Sequence, residues 1–299
     1  MPSPADRPEL GVNLVAYAPD DFALAEPSGA MEHLRTAIGA DRAVLVPTFY
    51  ATPGDPGGIR IHPEKTATPE SLELAVGSAA RHGLRVALKP HVDLEAGGFR
   101  GEHRPEGDDR RRFFLRYREL VVEPLAALAA RHPGVVDAFV VGTELCALQD
   151  AQDEWRATVA AVRRGAPRVR VGVATNYDAL VPGDRRPHPL DWADALDFVG
   201  VDYFLGESDG DRPVPQLLAA IDAVRRATGR SVVMTELGSR SDRFGGTRAQ
   251  KRRVARAIDA LTGHVDAIWL WNRFARHEES DVEGYTLGPQ LVQHLGARG

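Results

Sequence analysis

Eight short runs of apolar, largely β-branched residues recur along the chain, and the segments between them carry helical periodicity. This alternation is typical of repeated β-α units, in which parallel strands form one sheet and helices cover it. The predicted strands are GVNLVAY from Gly11, AVLVPTFY from Ala43, RVALKPHV from Arg85, VDAFVVGTE from Val136, VRVGVATNY from Val169, LDFVGVDYF from Leu196, SVVMTELGS from Ser231 and VDAIWLWNRF from Val265.

The segments between these runs carry the start and stop signals of helices. Thr68 is a potential N-cap with Pro69 at the first helical position, and several segments end in Gly, as helices often do. The predicted helices are GAMEHLRTAIG, TPESLELAVGSAARHG, DDRRRFFLRYRELVVEPLAALAARH, DEWRATVAAVRR, PQLLAAIDAVRRATG and TRAQKRRVARAIDAL, with shorter ones from Leu190 to Ala195 and from Pro289 to Leu295.

Eight such units in 299 residues favour a (β/α)8 TIM barrel, which typically takes about 250 residues. The alternative is a doubly wound open sheet. A nucleotide-binding protein of that kind should carry a G-x-G-x-x-G turn after an early strand, and GGFRG near Phe99 lacks that spacing. The sequence contains no linker or low-complexity tract, so we expect residues 1–299 to form a single-domain α/β barrel.

Composition limits the partners. The net charge of -5, without a Lys/Arg run interleaved with aromatic residues, argues against a nucleic acid partner. A single cysteine, Cys146, excludes an intramolecular disulfide and disfavours a cysteine-based metal cluster. No apolar stretch is long enough to span a membrane, and MPSPADRPEL lacks a signal-peptide pattern. We therefore expect a cytoplasmic protein, or a secreted one if a leader has been removed, with a monomer as the default.

In a TIM barrel the C-terminal ends of the strands form the active-site face, so the residues at those ends are candidate site residues. They are mostly polar or aromatic, and they should converge at the barrel mouth. They are Tyr17, Thr48, Tyr50, Lys89, His91, Glu144, Asn176, Tyr177, Tyr203, Glu236, Trp269 and Trp271.

Two of these residues are glutamates at the ends of apolar strands. A single one, such as Glu144, is more often a helix N-cap partner or an ion-pair member than a catalyst, but Glu236 three units later favours a paired function. If side chains alternate strictly, each glutamate shares the inward face with small or apolar residues. These are Ala138, Val140 and Gly142 beneath Glu144, and Val232 and Met234 beneath Glu236. Such a floor raises a carboxyl pKa, and two carboxyls in different surroundings can divide into an acid and a base or nucleophile.

The other strand-end candidates allow structural and functional interpretations. Lysine is rarely buried without a partner, which favours a functional role for Lys89 at the mouth, while His91 on the same face is less certain. Trp271 could give a sugar ring an apolar platform. Asn176 and Tyr203 could serve as hydrogen-bonding scaffold or as substrate contacts.

The longest irregular segment comes after the third predicted strand and runs from Asp93 to Asp109. A loop of that length in a compact domain is usually functional or disordered. We expect it to wall one side of the cleft and to influence chain-length preference, which trimming Gly97 to Glu106 should change.

The stretches LKPHVDLEAGGFRG, FVVGTELCAL, GVDYF and VVMTELGSRS, in that order, resemble the retaining glycoside hydrolases of clan A. The likeness is greatest to glycoside hydrolase family 113, whose characterised members are β-mannanases, and it extends from about Gly11 to Gly288. The resemblance implies a (β/α)8 barrel and no cofactor. It also implies that Glu144 is the acid/base at the end of the fourth strand and Glu236 the nucleophile at the end of the seventh.

The resemblance extends to substrate-binding residues. Tyr203 matches the tyrosine that orients the nucleophile, and Trp271 matches the tryptophan under the sugar in the -1 subsite. Lys89, His91 and Asn176 match glycone contacts, and the strand-end residue Tyr17 completes the predicted substrate-binding set. The chain departs from the wider clan at Thr143, where most members have an asparagine that contacts the sugar 2-OH. That change leaves open which group reads the 2-OH.

We therefore predict a retaining, endo-β-1,4-mannanase-like hydrolase that cleaves β-linked, mannose-containing oligo- or polysaccharide. Two alternatives are a non-catalytic carbohydrate-binding barrel and a β-glycosidase or transglycosylase of other sugar specificity. A third is a metal-dependent hydrolase built around His91, Asp93 and Glu144. Such sites usually draw several histidines from different strand ends, whereas His91 is the only histidine among the strand-end residues.

Overall fold

The computed structural model describes residues 7–180, 190–206, 213–240, 246–274 and 287–297. The strands are β1 (Glu9–Ala16), β2 (Arg42–Ala51), β3 (Ile59–Arg60), β4 (Arg85–Leu88), β5 (His91–Leu94), β6 (Val136–Thr143), β7 (Arg170–Asn176), β8 (Phe198–Leu205), β9 (Ser231–Ser239) and β10 (Ala267–Phe274). The helices are α1 (Ala30–His33), α2 (Pro69–Arg81), α3 (Gly107–Tyr117), α4 (Glu123–Arg131), α5 (Gln152–Gly165), α6 (Pro213–Thr228), α7 (Gly246–Leu261) and α8 (Pro289–Gly296).

Eight of the strands close into a parallel barrel in the order β1-β10-β9-β8-β7-β6-β4-β2, and β2 pairs with β1 to complete the circle. The prediction of a (β/α)8 barrel is therefore confirmed, and the open-sheet alternative is wrong. The third predicted strand is divided into β4 and β5 at Pro90, which lacks the N–H that a ladder needs. The short strand β3 pairs antiparallel with β2 beyond the barrel.

The helical segments also agree with the sequence signals. The Thr68 hydroxyl accepts a hydrogen bond from the backbone N–H of Ser71 at 3.1 Å, which caps α2 as predicted. The predicted helix from Leu190 to Ala195 is reduced to a 3-10 turn over Ala193–Ala195. In the described residues no helix is long and apolar enough to cross a membrane.

Buried side chains form two layers. The inner cluster fills the barrel and includes Val44, Ala138, Val233 and Trp269. The outer cluster lies between the strands and the helices, where Trp155 of α5 is fully buried. Successive strand residues alternate between the two layers, as the strand geometry requires.

The alternation is interrupted by a β-bulge in β6 and another in β9, just before each glutamate. In β6 the register shifts between Val140 and Thr143, and a Cβ on Gly142 would lie 2.5 Å from the Trp155 ring, on the outer side. Gly142 is therefore not on the inward face, and the strict-alternation prediction is wrong at this position. A bulge adds one residue to a strand, so the residues beyond it point to the opposite face from the one that strict alternation predicts.

In β9 the register shifts between Met234 and Glu236, opposite Val201 and Asp202 of β8. Val232 and Met234 belong to the outer cluster, while Val233 belongs to the inner one. The predicted floor of Val232 and Met234 under Glu236 is thus also wrong, for the same reason.

Buried side chains bind backbone carbonyls at both bulges. The Tyr117 hydroxyl donates to the Val141 carbonyl at 2.9 Å, and the Asn13 amide donates to the Thr235 carbonyl at 3.1 Å and the Leu270 carbonyl at 3.2 Å. A buried carbonyl without a partner would cost stability. These bonds therefore stabilise the irregular backbone that positions the two glutamates.

Candidate active site

Three carboxyl groups meet at the C-terminal end of the barrel. Oxygen atoms of Glu144 after β6, Asp202 in β8 and Glu236 in β9 lie within 4.8 Å of one another. All three residues are buried, with exposed fractions of 6%, 2% and 2%. Like charges at this spacing cannot all be ionised without compensation, so the surrounding cations decide which carboxyls lose their protons.

Glu236 is paired with a fully buried lysine. The Lys89 ammonium donates to Glu236 Oε1 and lies 3.9 Å from Asp202 Oδ2. Lys89 comes directly after β4, at the interruption that Pro90 causes, and this places its side chain in the barrel mouth. This charge-assisted hydrogen bond holds the Glu236 carboxyl group in a fixed position in the mouth.

His91 is neutral in this site. Burial lowers its pKa well below the usual value, and the charges of Arg100 and Lys89 lower it further, against a smaller opposing effect of Asp93. The Lys89 ammonium can only donate, so in their 3.2 Å contact His91 Nε2 is the acceptor and the ring proton is on Nδ1. His91 therefore orients Lys89 and does not add a charge.

Trp271 lies beside the same two residues. Its ring stacks on His91 with centroids 5.7 Å apart and planes at 10°, and the Lys89 ammonium lies 5.6 Å from its centre. One face of the indole is thus occupied by His91. The predicted sugar platform must use the opposite face. The Phe204 ring also meets Trp271 edge-on, with centroids 6.3 Å apart.

Glu144 has a hydrogen-bond donor on each carboxylate oxygen. Asn176 Nδ2 donates to Oε1 at 2.5 Å, and Arg100 Nη1 donates to Oε2 at 2.7 Å. Burial nevertheless raises the pKa of Glu144, and the Glu236 charge raises it further, while Arg100, Lys89 and Asn176 act in the opposite direction. The sequence prediction of a partly desolvated carboxyl fits this environment.

The backbone of Glu144 is unusual. Among the described non-glycine residues it alone has a positive φ, at 55°, and its N–H donates to the Ala174 carbonyl at 2.9 Å. Non-glycine residues in this region carry a cost of order 1–3 kcal/mol and cluster at functional sites. The bulge and this turn together aim the Glu144 side chain inwards.

Asp202 and Arg100 are site residues that the sequence analysis did not identify. Asp202 Oδ1 accepts from the Thr235 hydroxyl at 2.6 Å, and burial raises the Asp202 pKa well above its usual value. Strand alternation could have identified Asp202 in GVDYF, had the direction of Tyr203 been known. The loop length marked the Asp93–Asp109 segment as functional, but no local signal selected Arg100.

Two further predicted substrate-binding residues, Tyr203 and Tyr17, lie in β8 and just after β1. Tyr203 belongs to the outer cluster, where its ring meets Tyr177 edge-on at 4.8 Å. The group of that strand next to Glu236 is Asp202. Tyr17 lies just after β1 and is 42% exposed. Their contacts with substrate stay predictions.

Thr143 precedes Glu144 in the buried end of β6. Its side chain is on the strand position that pairs with Ala174, an inner-cluster residue. The Thr143 hydroxyl is buried and has no hydrogen-bond partner among the residues described. It is thus an available polar group next to Glu144 in the chain, and which group reads the sugar 2-OH stays open.

The same groups bear on the alternative of a metal site. Asp93 Oδ1 accepts from Arg100 at 2.6 and 3.0 Å, so the guanidinium joins Asp93 to Glu144. Lys89 similarly lies between Glu236 and Asp202. Lys89 and Arg100 thus supply positive charge directly to these carboxyl groups. The donor set therefore fits acid/base and nucleophilic chemistry better than metal coordination.

The loop that carries Arg100 also borders a cavity of about 310 Å³. The cavity lies between the segment after β2, from Ala51 to Pro56, and two parts of the loop, Leu94 to Gly97 and His103 to Pro105. Arg100 of this loop therefore contacts the Glu144 carboxylate, while other residues of the loop line the cavity.

A (β/α)8 barrel with buried glutamates after its fourth and seventh strands defines the chain as a TIM-barrel glycoside hydrolase. The sequence model of Glycoside Hydrolase Family 113 matches residues 18–287, and the chain belongs to this family. The family resemblance inferred from the motifs is therefore confirmed.

Solved structures agree with this assignment. A structure described as a complex of a GH113 β-1,4-mannanase has a TM-score of 0.76 and 16% identity, with 98% of this chain and 99% of that chain covered. The GH113 β-mannanase AaManA from Alicyclobacillus acidocaldarius, in complex with ManMIm, has a TM-score of 0.74 and 20% identity, with 98% and 96% covered. At these identities the likeness supports the fold alone. No curated protein matches the chain in sequence.

Proposed function

We propose that this protein is a retaining β-mannanase-like hydrolase that cleaves β-1,4-linked mannose-containing chains by double displacement. The observation that carries the proposal is the pair of buried glutamates, Glu144 and Glu236, with carboxylate oxygens within 4.8 Å of each other. In retaining enzymes the two carboxyl groups are about 5–5.5 Å apart, whereas inverting enzymes need about 6.5–9.5 Å for a water molecule.

The surroundings of the two glutamates support different roles. Glu236 Oε1 accepts a hydrogen bond from the Lys89 ammonium, which orients the carboxylate as the proposed nucleophile. Glu144 has a pKa raised first of all by burial, which favours the protonated form that a general acid needs. This division of environments is the pattern expected of an acid and a nucleophile in one pocket.

The proposed reaction has two steps. Glu236 attacks the anomeric carbon and forms a glycosyl ester, while Glu144 gives its proton to the departing glycosidic oxygen, so that the C–O bond breaks. Glu144, now ionised, takes a proton from water. The resulting nucleophile attacks the anomeric carbon, releases the Glu236 carboxylate and gives a sugar with the original β configuration.

The sugar is proposed from the family and its structural relatives, two of which are described as β-mannanases. Substrate would enter at the barrel mouth, with Trp271, Lys89, His91 and Asn176 near the glycone and Tyr17 and Tyr203 as further predicted contacts. A cytoplasmic enzyme would suit short oligosaccharides delivered into the cell, and an exported one would suit polymer.

The test is hydrolysis of β-1,4-mannohexaose with proton NMR of the first product anomer. We expect the β anomer from the wild type, a fall in kcat of about 10²–10⁴-fold in Glu144→Gln and a loss of about 10⁴-fold or more in Glu236→Gln. Glu73→Gln, which changes an exposed glutamate paired with Arg131 on the outer side, is the matched control and should keep full activity.

The alternatives give different results in the same experiment. A non-catalytic carbohydrate-binding barrel would bind the oligosaccharide but release no product. Release of the α anomer first would contradict double displacement. Parallel assays with β-1,4-linked glucose and N-acetylglucosamine oligosaccharides decide the sugar, and a clear preference for either one would overturn the mannose assignment.

A further inference from the structure

Arg100 is a cation in direct contact with Glu144, and it comes from a loop. It begins the short 3-10 turn Arg100–Glu102 in the segment after β5. Its Nη1 donates to Glu144 Oε2 at 2.7 Å, while Nε and Nη2 donate to Asp93 Oδ1 at 3.0 and 2.6 Å. The guanidinium thus bridges two carboxylates, Asp93 in β5 and Glu144 after β6.

The backbone around Arg100 is closely packed against Glu144. A Cβ on Gly101 would lie 3.0 Å from the Glu144 carbonyl oxygen and 2.3 Å from the Phe99 ring, so a side chain there would move the turn. Gly97 and Gly98, just before it, have φ values of 85° and 105°, which other residues rarely adopt. The sequence GGFRG therefore holds Arg100 at a fixed approach to Glu144.

The contact matters because of what the Glu144 carboxylate must do. A protonated carboxyl has one O–H to give to the glycosidic oxygen, and that oxygen cannot at the same time accept a hydrogen bond along the direction of its proton. In this structure both Glu144 oxygens accept hydrogen bonds, from Asn176 and Arg100. The positive charge of Arg100 at this distance favours the ionised form of Glu144, which is the form that takes a proton from water in the second step.

We propose that Arg100 is a positioning residue that supports the ionised, base form of Glu144. This inference rests on the proposed function, in which Glu144 is acid in the first step and base in the second. Arg100 favours the second step, removal of a proton from water, and opposes the first, in which Glu144 gives its proton to the glycosidic oxygen.

Other charged or titratable groups face Glu144 from each neighbouring element, and the experiment must leave them unchanged. They are Lys89 between β4 and β5, Asp202 in β8, Glu236 in β9 and Cys146 in the turn just after Glu144. Asn176 of β7 adds a neutral donor. Arg100 can be changed without touching the contact between Lys89 and Glu236.

The experiment is the pH dependence of kcat/KM for β-1,4-mannohexaose in the wild type and in Arg100→Gln. Activity falls on the alkaline side as Glu144 loses the proton that it needs for the first step. Arg100 lowers the Glu144 pKa, so without it we expect the alkaline limb to move to higher pH by about one unit. A role limited to holding the loop in shape would lower the rate at every pH and leave the limb in place.

Two further variants complete the comparison. Arg100→Lys keeps a positive charge but loses the fork that bridges Asp93 and Glu144, so the limb should move in the same direction but by less than in Arg100→Gln. Arg104→Gln removes an exposed arginine from the same loop, where it pairs with Glu106 at 3.8 Å, and should leave the profile unchanged. A limb that stays in place in Arg100→Gln, or moves equally in Arg104→Gln, would overturn the proposal.

A second measurement separates this inference from the proposed function. The Glu144 carboxyl carbon can be titrated by ¹³C NMR and assigned through the signal that Glu144→Gln lacks. We expect its titration to move upward by about one unit in Arg100→Gln, whether or not mannohexaose is the substrate. Failure of mannohexaose hydrolysis with this shift present would overturn only the choice of substrate, and absence of the shift would overturn the role of Arg100.

Discussion

The two ends of the barrel each contain an ionic network built around a buried cation, and the networks differ in their charge balance. At the N-terminal end Arg42 and Arg85 share the carboxylates of Glu9 and Asp137, two cations for two anions. At the mouth two cations, Lys89 and Arg100, face four carboxyls. These are Asp93, Glu144, Asp202 and Glu236.

This difference in charge balance distinguishes a structural network from one that can take part in a reaction. At the N-terminal end the two cations balance the two anions, so the network has no surplus carboxyl group that would retain a proton. At the mouth the surplus of carboxyls cannot all be ionised, and the pKa values of Glu144 and Asp202 are both raised, first of all by burial. The mouth thus retains protons at positions where a reaction can use them.

The largest expected effect tests the N-terminal network. Arg42 has a 4% exposed side chain and lies 5.8 Å from the Trp269 ring, so Arg42→Met should lower the free energy of unfolding by about 3 kcal/mol, because it leaves Glu9 and Asp137 with Arg85 alone. Urea unfolding measures this change. The kcat of the folded enzyme should stay within about twofold, because the change lies at the far end of the barrel from the glutamates.

Arg35→Met is the control for the loss of an arginine. Arg35 pairs with Asp41 at 3.3 Å, but both side chains are about half exposed, so the change should cost no more than about 0.5 kcal/mol. Equal costs in the two variants would remove the distinction between a buried network and a surface pair.

Lys89→Met tests the mouth and should have the opposite pattern. Glu236 would lose the ammonium on Oε1, and kcat/KM for mannohexaose should fall by about 100-fold, as when one preorganised donor is removed from an active site. The Tm should fall by less than in Arg42→Met, because Asp202 can hold a proton in place of a charge.

Lys251→Met, on α7, controls for the removal of a lysine from the same chain and should change neither quantity measurably. If Lys89→Met lowered the Tm as much as Arg42→Met and left kcat/KM intact, the mouth network would be structural, and the comparison between the two ends would fail.

Much of this molecule can be predicted from local rules in the sequence. Periodic apolar runs predicted all eight barrel strands, and the strand-end rule found Glu144, Glu236, Lys89, His91 and Asn176 from the sequence alone. Those predictions succeed because strand pairing and core burial depend on short-range patterns.

The failures have two physical causes. The predicted floors held for Ala138 and Val140, which lie in the inner cluster, and failed at Gly142, Val232 and Met234 because bulges in β6 and β9 shift the faces. The bonds that stabilise these bulges come from Tyr117 and Asn13, far away in sequence. Arg100 and Asp202 were missed because their roles arise from the tertiary packing of a loop and from a side-chain direction. The order of residue types along the chain specifies neither how the loop packs nor which way that side chain points.

The smallest expected effect comes from Asp202. It is a change in stability whose direction with rising pH can be worked out. The pKa of Asp202 in the folded state is raised well above the usual value, mainly by burial. Below about pH 3.8 the folded and unfolded forms both hold the proton, and above it the unfolded form loses the proton first, so folding loses stability as pH rises towards the raised value. Asp202→Asn removes this loss and can keep the hydrogen bond from Thr235.

We therefore expect the Tm of Asp202→Asn to exceed that of the wild type by about 2–4 °C near pH 8, which corresponds to about 1 kcal/mol, and the difference to vanish near pH 4. Asp194→Asn is the control, because Asp194 is exposed, pairs with Arg156 at 2.6 Å and should give no increase. A lower Tm for Asp202→Asn near pH 8 would mean that Asp202 is ionised and stabilised by Lys89 at 3.9 Å. Four carboxyl groups and two cations leave two carboxyl groups without a compensating charge. If Asp202 is ionised, only one proton remains in the mouth, and it belongs to Glu144.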